Sequence, residues 1–290
     1  VGGNSSVAPG TGGKSTSGGT TAAAGGKTST GGKTSTGGTT AYTDPDPSKC
    51  TDTSATAGTL NSQYQKYVVP TTNNPNKTYY LLTNWWSVFN GQTVKFNGLG
   101  FTASNPKNAT STDGMNPIGF PSLLIGQYQT VQSKGSGLPI QVSAIKSVPV
   151  VFNTNINSVS GELNASMDVW FNTSSAPLGE KASEPTGGFL MVWQNKPNNK
   201  QPRGSQVMTG VTIPNVSGTW NVWADNKCVS YVATSTQASL TFDLNEFIKH
   251  AVKNNKIIQN NWYLADIFAG FEIWSGGDGA QLKQFCAKVN

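Results

Sequence analysis

From Cys50 onward the chain is a series of short apolar runs separated by clusters of Asn, Gly, Pro and Ser. Runs of this length, rich in β-branched and aromatic residues and bounded by turn formers, predict strands. They fall at Tyr79–Trp86, Gln92–Phe101, Ile140–Phe152, Gly161–Phe171, Gly188–Gln194, Val207–Ile213, Trp220–Trp223, Cys228–Ala233, Ala238–Phe242 and Trp262–Trp274. Many short strands with frequent turns predict an all-β, two-sheet jelly roll or sandwich rather than a βαβ fold.

One stretch has a different period. Asp243 followed by Glu246 has the spacing of a capping box, and Leu244, Phe247, Ile248, Ala251 and Val252 then recur at helical intervals. A short helix is therefore expected over 244–254. His250, the only histidine, lies on it and reads as structural. No G-x-S-x-G elbow accompanies it, so a serine-hydrolase triad is not expected.

Three strands alternate in a way that bears on chemistry, because side chains on a strand point to opposite faces in turn. Asp168 and Trp170 share a face against Met167, Val169 and Phe171. Phe189, Met191 and Trp193 oppose Leu190 and Val192. Phe268, Gly270, Glu272 and Trp274 oppose Ala269, Phe271 and Ile273. A face carrying Trp170, Trp193 and Trp274 is rich in indole for a solvated surface, and a pure core would not hold acids unpaired. Carboxyls among aromatic rings suit a carbohydrate site, with Glu272 protonating a sugar oxygen beside a stacking platform.

Composition narrows the organisation. Residues 1–48 are dominated by Gly, Ser, Thr and Lys, with Gly-Gly-Lys-Thr-Ser-Thr at Gly25 and again at Gly31. Such a segment reads as a disordered, flexible stalk, leaving a single domain over 49–290. Its Gly-Lys-Thr repeats are not a P-loop, which needs a preceding strand and a following helix. The net charge of +6 includes Lys14, Lys27, Lys33 and Lys49 in or beside the stalk, and no basic stripe forms, so nucleic acid is not an expected partner. No apolar run reaches the roughly 18 residues of a membrane span. Cys50, Cys228 and Cys286 are too widely spaced for a structural zinc site, so no metal and no cofactor are expected. One disulfide plus one free thiol fits export, with the pairing open. Sequons begin at Asn76, Asn108, Asn164, Asn172 and Asn215. A secreted or cell-surface monomer is expected.

These residues also carry a resemblance. Asn84-Trp-Trp86, Phe120-Pro-Ser-Leu-Leu-Ile-Gly126, Leu138-Pro-Ile-Gln-Val-Ser143, the Asp-Val-Trp at Asp168, Trp220-Asn-Val-Trp223, Val229-Ser-Tyr-Val-Ala233, the capped helix and Gly270-Phe-Glu-Ile-Trp274 follow one another as in glycoside hydrolase family 12. The chain resembles these β-jelly-roll endoglucanases and xyloglucanases across most of Tyr79–Val289. The resemblance implies a β-glucan substrate and a retaining mechanism with two glutamates. Glu272 matches the general acid/base, and Asp168 the carboxylate that supports the nucleophile. The nucleophile strand of the family reads Glu-[Leu/Ile]-Met-[Ile/Val]-Trp, and here it reads Phe189-Leu-Met-Val-Trp193, with Gln201-Pro-Arg-Gly-Ser205 following at the family's spacing. Phe189 therefore occupies the nucleophile position. Glu184 is the nearest acid upstream, but a strand of fixed register does not carry it to the same place.

Asn84, Trp86, Trp170, Met191, Trp193 and Trp274 are the expected substrate-binding residues. Two outcomes follow: an inverting or weak hydrolase in which Asp168 serves as base opposite Glu272, or a silent glucan-binding protein in which Phe189 extends the aromatic platform. A structural or adhesive surface domain would require only the stalk and the sandwich.

Overall fold

The alternating runs pair into two sheets. The computed structural model describes residues 50–290; the proposed stalk over 1–48, with its Gly-Lys-Thr repeats, lies outside the described residues. In chain order the strands are β1 (Ala57–Leu60), β2 (Lys66–Pro70), β3 (Thr78–Leu82), β4 (Thr93–Asn97), β5 (Phe101–Ser104) and β6 (Ser122–Tyr128). Next come β7 (Val131–Gln132), β8 (Ile140–Gln141), β9 (Pro149–Asn155), β10 (Leu163–Asn172), β11 (Gly188–Trp193) and β12 (Ser205–Val211). The last are β13 (Trp220–Ala224), β14 (Cys228–Ala233), β15 (Ser239–Asp243), then α1 (Leu244–Asn254), β16 (Tyr263–Ile273) and β17 (Gln281–Ala287).

The smaller sheet runs β1-β4-β5-β17-β9-β15, and the larger β12-β13-β14-β11-β10-β16-β6-β3-β2, with β7 on β6 and β8 on β16. All the pairings are antiparallel except β11–β14. The core lies between the sheets. Met167, Val169, Phe171, Leu190, Val192, Ala269, Phe271 and Ile273 face Val150, Phe152, Leu240 and Phe285 there. Apart from Ala269, each such side chain contributes about 1.5–3 kcal/mol on burial. This holds one face of β10, β11 and β16 inward and leaves Asp168, Phe189 and Glu272 on the other.

Asp243 caps α1 by accepting from the Asn245 amide (3.0 Å), and it also accepts from the Val148 amide (2.7 Å). The expected capping box is only half made, because Glu246 turns to Lys249 (2.7 Å) instead of back to the cap. Phe247 packs on Trp220, Tyr231 and Phe242. His250 bonds the Tyr231 hydroxyl through Nδ1 at 2.8 Å.

Some expected strands are broken. Gln92–Phe101 is a hairpin that turns at Gly98, where φ is +62° and a Cβ would meet the Ser54 carbonyl at 2.8 Å. Ile140–Phe152 divides into β8, a 3-10 turn at Val142–Ala144, and β9. Cys50 and Cys286 form the disulfide, with Cα atoms 5.8 Å apart, and Cys228 is free and buried.

Candidate active site

Strand register sets the floor of the site. Asp168 on β10 pairs with Met191 on one side and Phe268 on the other, Trp170 with Phe189 and Asp266, and Asn164 with Glu272. Between the Asp168 and Glu272 rows lies a row of small residues, Ser166 paired with Gly270 and Gly270 with Ser122. A Cβ on Gly270 would meet the Pro121 carbonyl at 2.1 Å, so glycine permits the close β16–β6 approach there.

Above this floor is a cleft of about 970 Å³. Asp168, Trp170, Phe189, Met191 and Glu272 line it, together with Asn84 and Trp86. The left-handed backbone at Asn84 (φ 48°) separates two adjacent indoles: Trp85 enters the core, and Trp86, 37% exposed, turns to the cleft. The Tyr64 hydroxyl donates to the Trp86 carbonyl (3.1 Å), which adds a second exposed ring to the same wall.

Glu272 accepts from Asn164 Nδ2 at 2.6 Å through Oε2, and its own amide donates to Asn164 Oδ1 at 3.2 Å. Withdrawal from water is the main cause that pushes its carboxyl up to about 7; the charge of Asp168 adds to this and the Asn164 bond opposes it. Asp168 accepts from the Trp170 indole nitrogen (3.0 Å) through Oδ2, while Oδ1 has no protein partner. Burial likewise pushes it up to about 7 against that bond. In the row of Trp170, Asp266 is fully buried with neither carboxyl oxygen paired by a side chain. Burial, with the Asp168 charge second, holds it well above the ordinary carboxylate range.

Two expected platform residues lie elsewhere. Trp193 and Trp274 are 1% and 4% exposed and pack on each other at 6.1 Å, with Val232, outside the cleft lining. The Trp274 indole donates to the Met115 carbonyl (2.8 Å), so the Asp113–Asn116 turn closes over this pair. Phe189 is not an open platform either. It packs edge-on against Trp170 (6.3 Å), with the Arg203 guanidinium 5.4 Å and the Lys227 ammonium 6.0 Å from its ring centre. Glu184 does reach the cleft, from the β10–β11 loop rather than from a strand.

Sequence reasoning did not place Asn164, Tyr64, Tyr128, Phe120 or the Glu180–Glu184 segment in the site. Only Asn164 carried a readable signal, because it stands four residues before Asp168 on the same strand face.

Residues 77–290 match glycosyl hydrolase family 12. The chain belongs to this family. Among its family 12 relatives, endoglucanase S of Pectobacterium parmentieri is 31% identical over 221 residues, 70% of this chain and 78% of that protein. Probable cellulase Cel12b of Mycobacterium tuberculosis (strain H37Rv) is 32% identical over 160 residues, 54% of this chain and 99% of that protein. Among solved structures, endoglucanase cel12A from Rhodothermus marinus superposes with a TM-score of 0.69 at 28% identity, covering 80% of this chain and 99% of that one. The β-jelly roll expected from the sequence is thus the fold of the family 12 chain.

Proposed function

We propose that the protein hydrolyses β-1,4-linked glucans in this cleft, with Glu272 as general acid and Asp168 as the base that activates water. The observation that carries the reading is Glu272 itself, in the cleft, braced by Asn164 and still able to hold a proton near neutrality. The names of relatives, endoglucanase S and a xyloglucan-specific endo-beta-1,4-glucanase, support a glucan over another polymer. The exposed rings of Tyr64 and Trp86 supply faces on which a pyranose can lie.

An inverting course is part of the proposal because no carboxylate stands in the nucleophile position. Asp168 and Glu272 line the same cleft, their rows four residues apart along the strands, about 14 Å between Cα levels at about 3.4 Å per residue. A water between them would be the attacking group. Slow turnover is expected on this reading because Phe189 stands in the nucleophile position and no covalent intermediate can form there. With acid and base both titrating at about 7, the productive state, acid protonated and base ionised, is most populated near neutral pH, at about a quarter of the molecules.

The test is reducing-end release from xyloglucan, mixed-linkage glucan and amorphous cellulose by the protein and its Glu272→Gln variant. Low activity that disappears in the variant is expected; activity that survives the substitution puts the chemistry elsewhere. A silent glucan-binding protein is the second reading, favoured by Phe189 in the nucleophile position. Retention on cellulose without any product from wild type selects it. Export to an oxidising compartment is part of the proposal and is supported by the Cys50–Cys286 disulfide.

A further inference from the structure

The β10–β11 loop is fastened at three points. Leu178 packs on the cluster of Trp170 and Phe189, the Ala182 carbonyl accepts from Gln129 Nε2 (2.8 Å), and Glu184 is held by two cations. Glu184 Oε1 accepts from Arg203 Nη1 at 3.1 Å and Oε2 from Lys227 Nζ at 2.7 Å. Arg203 is itself oriented by Asp225, which takes its Nε at 2.7 Å and also accepts from the Lys227 and Cys228 amides. Both cations rest against Phe189.

Stability does not account for this arrangement. The Glu184 and Arg203 side chains are 45% and 44% exposed, and exposed ion pairs contribute about 0–1 kcal/mol each. What the network does achieve is a fixed, ionised carboxylate on the cleft wall, since Lys227 and then Arg203 outweigh burial and hold Glu184 below its usual range. Each of its oxygens keeps lone-pair capacity beyond the one cation it meets. Of the four charged side chains in this network, Glu184, Arg203, Lys227 and Asp225, only Glu184 lines the cleft. A carboxylate so placed accepts two neighbouring hydroxyls of a pyranose, and a charged hydrogen bond is about twice as strong as a neutral one.

We propose that Glu184 is a substrate-binding residue, accepting hydroxyl hydrogen bonds from a glucan unit at the Phe189 end of the cleft, with Arg203 and Lys227 positioning it. The inference rests on the glucan reading above and adds a charged binding contact to the aromatic ones of Tyr64 and Trp86.

Calorimetric titration of the Glu272→Gln variant of the 290-residue chain with cellotriose and cellohexaose separates the two ideas. Adding Glu184→Gln is expected to weaken cellohexaose binding about tenfold and to affect the shorter sugar less. Arg203→Met should reproduce part of that loss and Arg203→Lys less of it, as a positioning role requires. If Glu184→Gln binds both sugars as the parent does, the inference is overturned while the glucan reading stands. If the Glu272→Gln protein binds neither oligosaccharide nor xyloglucan, both fall together.

Discussion

Glu272 concentrates the electrostatic cost of the site. Its carboxyl sits near 7 in the folded protein, against the ordinary 4.5 that applies to the unfolded chain. The folded state therefore holds the proton more tightly. The penalty is absent below pH ~4, grows through the interval up to about 7, and is complete above it. Glu272→Gln removes that penalty while keeping an oxygen for Asn164. The variant is expected to be more stable than wild type by about 3 kcal/mol at pH 8 and nearly equal to it at pH 4. Thermal denaturation at the two pH values checks this, and the same shift in midpoint at both would contradict a titration-linked cost. The two activity limbs overlap near pH 7, so hydrolysis should follow a narrow bell there, with macroscopic constants that belong to the Asp168–Glu272 pair. Alternation alone put both carboxyls on one face. Their burial was not legible, because it depends on Tyr128, Phe120 and a loop that reach them from distant parts of the chain.

At the level of elements, legibility followed burial. β10, β11, β14 and β16 are buried on both faces and read directly as apolar runs. β2 is an edge strand with one buried residue, Val69, and β12 is exposed nearly throughout; such strands owe their place to backbone pairing more than to hydrophobic pattern. Trp193 and Trp274 show the converse error. Alternation gave their face, but the Asp113–Asn116 turn that covers them leaves no periodic trace. The cysteines were the other open choice, settled by β17 bringing Cys286 to Cys50 across 236 residues of chain. Loss of a crosslink over so long a loop costs about 2–5 kcal/mol. Cys50→Ser with Cys286→Ser should lower the denaturation midpoint accordingly. Burial pushes the Cys228 thiol up to about 12, so a thiol reagent should label the oxidised native protein negligibly and one cysteine per chain in denaturant. A native thiol that reacts promptly would contradict the burial of Cys228.

At the largest scale, residues 50–290 form a sandwich whose larger sheet serves two cores. One face is closed by the smaller sheet; the other carries a minor cluster of Leu82, Phe120, Leu124, Trp170, Phe189 and Phe268 beneath the cleft. The fold class was readable because dozens of alternating positions agree on it. The cleft's ionic wall was not, since it joins Glu184, Arg203 and Lys227 from three separate segments. The bond from Trp170 to Asp168 has an optical consequence. An indole whose nitrogen is tied to a carboxyl that changes charge near pH 7 is a built-in chromophore for that charge. Tryptophan emission should therefore titrate with a midpoint of about 7. The transition should vanish in Asp168→Asn and in Trp170→Phe, and persist in Trp86→Phe, whose ring has no such tether. A ligand that displaces the proton equilibrium would move that midpoint, so occupancy of the cleft could be followed by light alone, without any turnover.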